Sequence, residues 1–273
     1  MALPLEHLVD PIAAAMRRAA ATAILPRYRR LHSREVEDKC TGEVVTHADR
    51  EAEAILTPIL RSLIEGARVV GEEAAAANPE LLRGLDDGLV WLVDPLDGTS
   101  NFVAGQGAFA VMVALLEHGE TSACWILDPL DGTEFVARKG FGATRNGQPI
   151  RKPARAGEAA RASDMRGAIL PRFLPADVRS RVEQGRFLLG EATDGMLCAG
   201  AEYPAIALGR QDFALFWRTL PWDHAPGALF VMETGGHVAR PDGSAYRPGD
   251  GKSGLLAARS YACWAEIHKT LLA

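Results

Sequence analysis

The chain has 273 residues, 48% of them hydrophobic, and by area scaling a chain of this size hides roughly 70% of its unfolded surface. Disorder, a peptide scaffold and a fibrous repeat are excluded, and the length allows one large domain or two smaller ones. Its 35 acidic and 30 basic residues, net -5, give no basic excess that would draw it to nucleic acid or an anionic membrane, so neither is expected as a direct partner.

From residue 5 to about 31, Leu5, Leu8, Ile12, Ala15 and Met16 recur at helical spacing and predict an amphipathic helix. Glu6 and Asp10 precede its alanine run and Arg17 and Arg18 follow it, the reverse of a secretory signal. The longest apolar stretch, 108–116, is about half of what a membrane span requires. Cys40, Cys124, Cys198 and Cys263 lie far apart, without zinc-finger spacing, and read as reduced, mostly buried thiols. A soluble, unprocessed, cytoplasmic chain is the expectation.

A second helix is predicted over 48–63, where Ile55, Leu56, Ile59 and Leu60 form one stripe and Asp49, Arg50, Glu51 and Glu53 lie near its start. Strand-like runs follow at 69–70, 89–93, 109–116, 124–127 and 134–137, separated by glycine and proline. The basic, Ala/Pro/Gly-rich segment 151–161 marks a boundary near residue 150, dividing the chain into 1–148 and 149–273. The second half reads as a helix over 175–184, short strands near 187–189 and 212–216, and a helix opening at Asp223. Helices and strands interleaved throughout imply a layered α/β or α+β protein.

The hexapeptide Asp-Pro-Leu-Asp-Gly-Thr occurs twice, at 94–99 and 128–133, each time after an apolar strand. The first copy continues into Ser100, Asn101 and Phe102, giving a loop and a helical turn; the second continues into Glu134-Phe135-Val136-Ala137, the return strand of a hairpin. A Pro-Asp-Gly turn is sufficient explanation for the second.

Asp94 stands where an apolar strand meets a proline, at the edge of the core, where an unpaired charge is costly and a cation would offset it. Asp97 follows across a turn, close enough to share an ion. Oxygen ligands without nearby histidine or cysteine favour Mg2+. Taken alone, the pair is also explained as turn formers. Glu72 follows another strand, and its plain reading is a surface charge; that of Asp223 is a helix cap. Asp49 stands at a helix start that Thr46 would itself cap. No spacing rule joins these five acids.

Together, residues 45–49 (VTHAD), 71–73 (GEE), 91–102 (WLVDPLDGTSNF) and 222–227 (WDHAPG) resemble the inositol monophosphatase family, with weaker likeness at 140–143, 146–147, 233–236 and 253–258. The resemblance implies an αβαβα layered sandwich, commonly dimeric, and a Mg2+-dependent, typically lithium-sensitive phosphatase acting on a small phosphorylated substrate. It implies that Glu72, Asp94 and the Leu96 carbonyl hold a first Mg2+, and Asp94, Asp97 and Asp223 a second, with a weaker third near Glu72. Gly98 and Thr99 would offer N–H groups to phosphate, and Thr99 with Asp49 would orient a metal-bound water as nucleophile. Two or three cations would neutralise the repulsion between an anionic ester and its nucleophile. Asp223 comes from the second half, so the site is expected between the halves.

The sequence departs from the family's inositol pocket. A glutamate is usual seven residues before the last aspartate, where this chain has Phe216, followed by Trp217 and Arg218; the pocket segment reads Cys198-Ala199-Gly200-Ala201-Glu202-Tyr203. Lys39 stands one residue off the family's upstream lysine. Glu202, Arg218 and His224 are the candidates for the pocket wall, while His224 in a first helical turn also reads as simply solvated and Arg218 as a surface residue or interface ion pair. The functions carried forward are hydrolysis of inositol 1-phosphate or a related polyol phosphate; of histidinol phosphate, a nucleotide 3′-phosphate or a sugar phosphate; or a regulatory role on the same scaffold, as some bacterial relatives are thought to have in transcription complexes.

Overall fold

The computed structural model describes residues 5–38, 44–150 and 161–273. Lys39, Cys40 and most of the basic boundary segment lie outside these residues. Two sheets carry the architecture. The larger has seven strands in the order Arg68–Gly71, Leu89–Asp97, Ala110–Glu117, Glu120–Leu127, Glu134–Arg138, Gly142–Arg145 and Gln148–Pro149. The first pair is parallel and every later pair antiparallel. The smaller has five, in the order Glu191–Thr193, Arg166–Ile169, Phe213–Phe216, Leu255–Ala258 and His237–Ala239.

Alternation along the strands decides the layering, because successive side chains point to opposite faces. Trp91 and Val93 with Val111, Val113 and Trp125 pack under the N-terminal helix Val9–Ala19 and the helix His47–Leu63. Val90 and Leu92 with Met112, Ala114 and Ile126 face the other way, against the helices Ala199–Ala207 and Pro221–Glu233. Those two helices are apolar nearly all round, as suits a layer covered on both sides. They also pack on Ala214, Phe216, Leu255 and Ala257 of the smaller sheet. The alternate residues Phe213, Leu215, Leu256 and Ala258 meet the outer helices Ala176–Arg186 and Tyr261–Leu271. The result is the expected αβαβα sandwich. Cys124, Cys198 and Cys263 are buried free thiols, and among the described residues no helix is long and apolar enough to cross a membrane.

Three local expectations are corrected. The first helix is not continuous to residue 31: a 3-10 turn, Leu5–Leu8, precedes Val9–Ala19, and a π turn, Ala20–Ile24, follows. Pro26 has no N–H to continue an α-helical ladder, and Leu25 N instead donates to Ala20 O at 2.9 Å. Residues 187–189 are a turn, in which Leu188 N donates to Gly185 O at 2.9 Å and Phe187 is 88% exposed. Three apolar residues without alternation carried no strand signal there, and the strand begins at Glu191. The strand expected to stop before Asp94 runs on to Asp97. The 128–133 copy of the hexapeptide is a hairpin turn, with Leu127 paired to Glu134 across it and Asp128 N donating to Thr133 O at 2.9 Å.

One buried ion pair fixes the loop that leads into Pro221–Glu233. The Arg240 side chain is 2% exposed and meets Asp250 through Nε at 3.1 Å and Nη2 at 2.5 Å. Its Nη1 donates to Thr219 Oγ1 and to Gly254 O, both at 2.9 Å. Removing Asp250 leaves a buried guanidinium without its counter-charge. Asp250→Ala is therefore expected to lower stability by about 3 kcal/mol in urea denaturation; a loss below about 1 kcal/mol would show that solvent reaches Arg240.

Candidate active site

A cleft of about 210 Å³ opens between the two sheets, and Glu72, Asp94, Leu96, Asp97, Gly98, Thr99, Arg218, Asp223 and His224 all line it. Asp94 and Asp97 reach it because of an irregularity in their strand. Asp94 pairs with Met112 and Asp97 with Ala110, so three steps on one strand oppose two on its partner. In a regular strand residues three apart point to opposite faces. The extra residue, inserted where Pro95 cannot donate a ladder hydrogen bond, brings both aspartates to the same side. Asp94 Oδ1 then accepts from Leu96 N at 3.0 Å, while Asp97 Oδ2 accepts from Gly200 N at 2.6 Å and from the Cys198 thiol at 3.0 Å.

Gly98 ends the bulge at φ +83, and a Cβ there would stand 2.7 Å from Ala108 O. Its conformation turns the chain into the short helix Thr99–Val103, whose first N–H groups have no partner within the helix. Asp49 arrives from the opposite helix. It is the N3 residue of a capping box: its Oδ2 accepts from Thr46 N at 2.8 Å and Thr46 Oγ1 at 2.6 Å. Its Oδ1 accepts from Thr99 Oγ1 at 3.0 Å, a proton shared with Leu96 O at 2.9 Å. The same carboxylate therefore serves as helix cap and as acceptor for a threonine on the cleft wall.

Burial dominates the electrostatics. It pushes the Asp49 carboxyl up to about 7 and that of Asp97 up to about 6, against the pull of the Gly200 N–H and the Cys198 thiol. Asp94 is pushed well above the usual carboxylate range, first by burial and then by Glu72, Asp97, Asp223 and Asp49. Those repelling neighbours place the other four acids within electrostatic reach of Asp94, which no spacing in the sequence disclosed. Among the described residues, no three Asp, Glu, His or Cys side chains are already closed into a metal cage; Asp94 and Asp97 turn oxygens onto backbone N–H groups instead.

Two of the pocket-wall candidates do not offer polar atoms to the cleft. Glu202 is fully buried outside the lining, holding Met196 N and accepting from Gln211 Nε2 at 2.7 Å. His224 lines the cleft, yet it is neither solvated nor available: Nε2 donates to Arg218 O at 3.0 Å, so Nδ1 accepts from Tyr203 Oη at 2.8 Å. Burial pushes its imidazole down to about 3, which keeps it neutral. Asp223 lies inside the first turn of Pro221–Glu233 and is not its cap, since Pro221 begins the helix and Leu220 precedes it. Arg218 is on the wall, its guanidinium 4.3 Å from the centre of the Phe173 ring, with Arg172 on the same ring at 5.0 Å. Arg172 and Phe173 carry no signal in the sequence; they sit in a short 3-10 turn, Pro171–Phe173, between a strand and the helix Ala176–Arg186, and such a turn has no motif.

The sequence profile of the inositol monophosphatase family matches residues 6–273. The chain is 33% identical over 240 residues to a Pseudomonas aeruginosa protein named Nus factor SuhB, covering 83% of each. It is 31% identical over 209 residues to a Thermotoga maritima fructose-1,6-bisphosphatase/inositol-1-monophosphatase, covering 74% of this chain and 73% of that one. In structure it is similar to the extragenic suppressor protein suhB of Bartonella henselae, with TM-score 0.82, 24% identity and 97% and 98% of the two chains covered. The Thermotoga maritima IMPase superposes with TM-score 0.78 at 23% identity, covering 97% and 96%. With its layered fold, its acidic cleft and a profile match over nearly its whole length, this chain belongs to the inositol monophosphatase family.

Proposed function

We propose that the protein hydrolyses a small phosphate monoester with the help of Mg2+. The observation that carries this reading is the cleft itself, in which the buried Asp94 faces the repulsion of Glu72, Asp97, Asp223 and Asp49. Such a set is costly without a cation and is suited to a hard one. Glu72, Asp94 and the Leu96 carbonyl would hold one ion, and Asp94, Asp97 and Asp223 a second, with room in the acid count for a third beside Glu72. The Leu96 oxygen has two lone pairs, so its bond from Thr99 leaves one to give. Bound there, Mg2+ supplies neutralisation of the phosphoryl charge and a more acidic water.

The protein's own groups supply position and proton handling. Asp49 is held by Thr46 and takes the Thr99 hydroxyl proton as a hydrogen bond, which leaves the Thr99 oxygen lone pairs to accept from an attacking water. Burial raises its carboxyl to about 7 in the metal-free protein, and a cation bound nearby would draw it down toward the ionised form that can accept a proton. The N–H groups of Gly98 and Thr99 serve the phosphate oxygens. On the alcohol side, Phe216 replaces the glutamate that accepts from inositol, and Glu202 faces away. A polyol therefore finds fewer acceptors than in the family's inositol pocket, and Arg172 and Arg218 are charged groups on that wall. The substrates to compare are inositol 1-phosphate, histidinol phosphate and nucleotide or sugar phosphates.

A second reading, a regulatory role on the same scaffold, is favoured by the 33% identity to a protein named as a Nus factor. A panel of phosphate monoesters with and without Mg2+ separates the two. Mg2+-dependent turnover is expected, and Asp94→Asn should reduce kcat by about 1000-fold or more while circular dichroism stays unchanged. Near-normal turnover in that variant would overturn the site, and no turnover of any ester would favour the regulatory reading.

Metal binding should also be visible in stability. A carboxyl raised in the folded state contributes stability below its unfolded value of 3.8 that is lost as pH rises through the folded value, about 6 for Asp97 and about 7 for Asp49. The metal-free protein should thus lose melting temperature between about pH 4 and pH 7 relative to variants without these acids. Mg2+ at about 100 times its Kd should add about 5–10 °C at pH 8 and much less at pH 5. Equal shifts at both pH values would contradict the assignment.

A further inference from the structure

The helix Glu72–Ala77, which begins with a cleft acid, starts in an unusual way. Its preceding residue, Gly71, has no side chain with which to cap the first turn. The cap comes from elsewhere: Glu53, on the helix His47–Leu63, points its carboxylate at that turn. Glu53 Oε2 accepts from Glu73 N at 2.8 Å and Oε1 from Ala74 N at 3.0 Å. Glu53 is 7% exposed, and burial pushes its carboxyl up while the two N–H groups draw it down.

Gly71 is extended, with φ -94 and ψ 158, a conformation open to any residue. Its requirement is steric: an added Cβ would lie 2.2 Å from Glu53 Cδ. The glycine makes room for the carboxylate, and the carboxylate does the work that a capping side chain at that place would do. Glu53 also stands four residues after Asp49, on the same helical face. One helix therefore delivers Asp49 to Thr99 and Glu53 to the backbone around Glu72.

We infer that Glu53 is a positioning residue for the metal site, holding the turn that aims Glu72 into the cleft, and that Gly71 is fixed by the space this carboxylate takes. The inference rests on the reading of Glu72 as a Mg2+ ligand. Neighbours that orient a ligand are worth about 10–100-fold in metal affinity, and a loss of that size is expected when Glu53 is replaced. A glutamine keeps the shape but presents an N–H to one of the two backbone donors, which breaks one of the two bonds.

The experiment is calorimetric titration of the full chain with Mg2+, and with Mn2+ as a second probe, for wild type and the variants named below, beside metal-free thermal melts. Glu72→Gln tests the reading beneath the inference. If it binds both ions as wild type does, Glu72 is not a ligand and both statements fall. If it binds weakly, Glu53→Gln and Gly71→Ala are each expected to raise the Kd about tenfold. Wild-type affinity in both would overturn the positioning role, even if the melts show lower stability, because a purely structural cap alters the melt and not the affinity. Glu53→Ala opens the space that Gly71→Ala fills, so the double variant should bind no more weakly than Glu53→Ala alone. Additive losses would show that the two residues act separately and would overturn the steric link. Should Glu53→Gln fail to fold, the affinities of Gly71→Ala and of the double variant test the positioning role in its place.

Discussion

The arrangement turns on mutual repulsion among carboxylates held in a poorly solvated cleft. Four acids line the cleft and a fifth, Asp49, is bonded to Thr99 of its wall; the buried Asp94 has the other four as its repelling neighbours. Like charges brought together where water is partly excluded repel, and each such pair opposes folding. The fold keeps them together because the deepest of them are tied to backbone or hydroxyl groups: Asp94 to Leu96 N, Asp97 to Gly200 N, Asp49 to Thr46. Those bonds fix the carboxylates in place without removing the repulsion between them.

Bringing these acids together requires departures from regular structure. A register break in the second strand of the larger sheet reverses the parity of Asp97. A left-handed glycine at 98 turns the chain sharply into a helix. A proline-led helix with no side-chain cap brings Asp223 across from the other half of the chain. Each of these is locally unfavourable or unusual, and each lies within the cleft, while the sheets and helices behind it follow ordinary alternation.

The layers were legible in the sequence because burial on alternate faces writes itself into runs such as 89–93 and 109–116. The hairpin at 128–133 was legible for the same reason, with a turn flanked by alternating strands. The convergence of the acids was not. Glu72, Asp94 and Asp223 are separated by long stretches of chain, and no helical or strand period links them; only the likeness of several motifs in order joined them. Glu53 carried no motif, although its place one helical turn after Asp49 on a buried face was a readable sign. His224 and Glu202 misled because a polar residue near a motif looks the same in sequence whether its atoms face the cleft or a neighbouring backbone. Composition shifts near residue 150, yet nothing in it signals that the helices Ala199–Ala207 and Pro221–Glu233 pack on the larger sheet, whose strands all precede them in the chain.

That interleaving bears on how the protein can move. The helices Ala199–Ala207 and Pro221–Glu233 share one hydrophobic core with both sheets, so the distance from Asp223 to Asp94 is set by packed side chains and not by a flexible joint. Opening the cleft by swinging one half from the other would expose the middle layer to water, at a cost no small ligand could repay. Traffic into and out of the cleft must therefore pass its rim, where Leu197 is 53% exposed and Phe173, beside the two arginines, 38% exposed, and exchange is governed by side chains and short turns at that rim over a frame that stays closed.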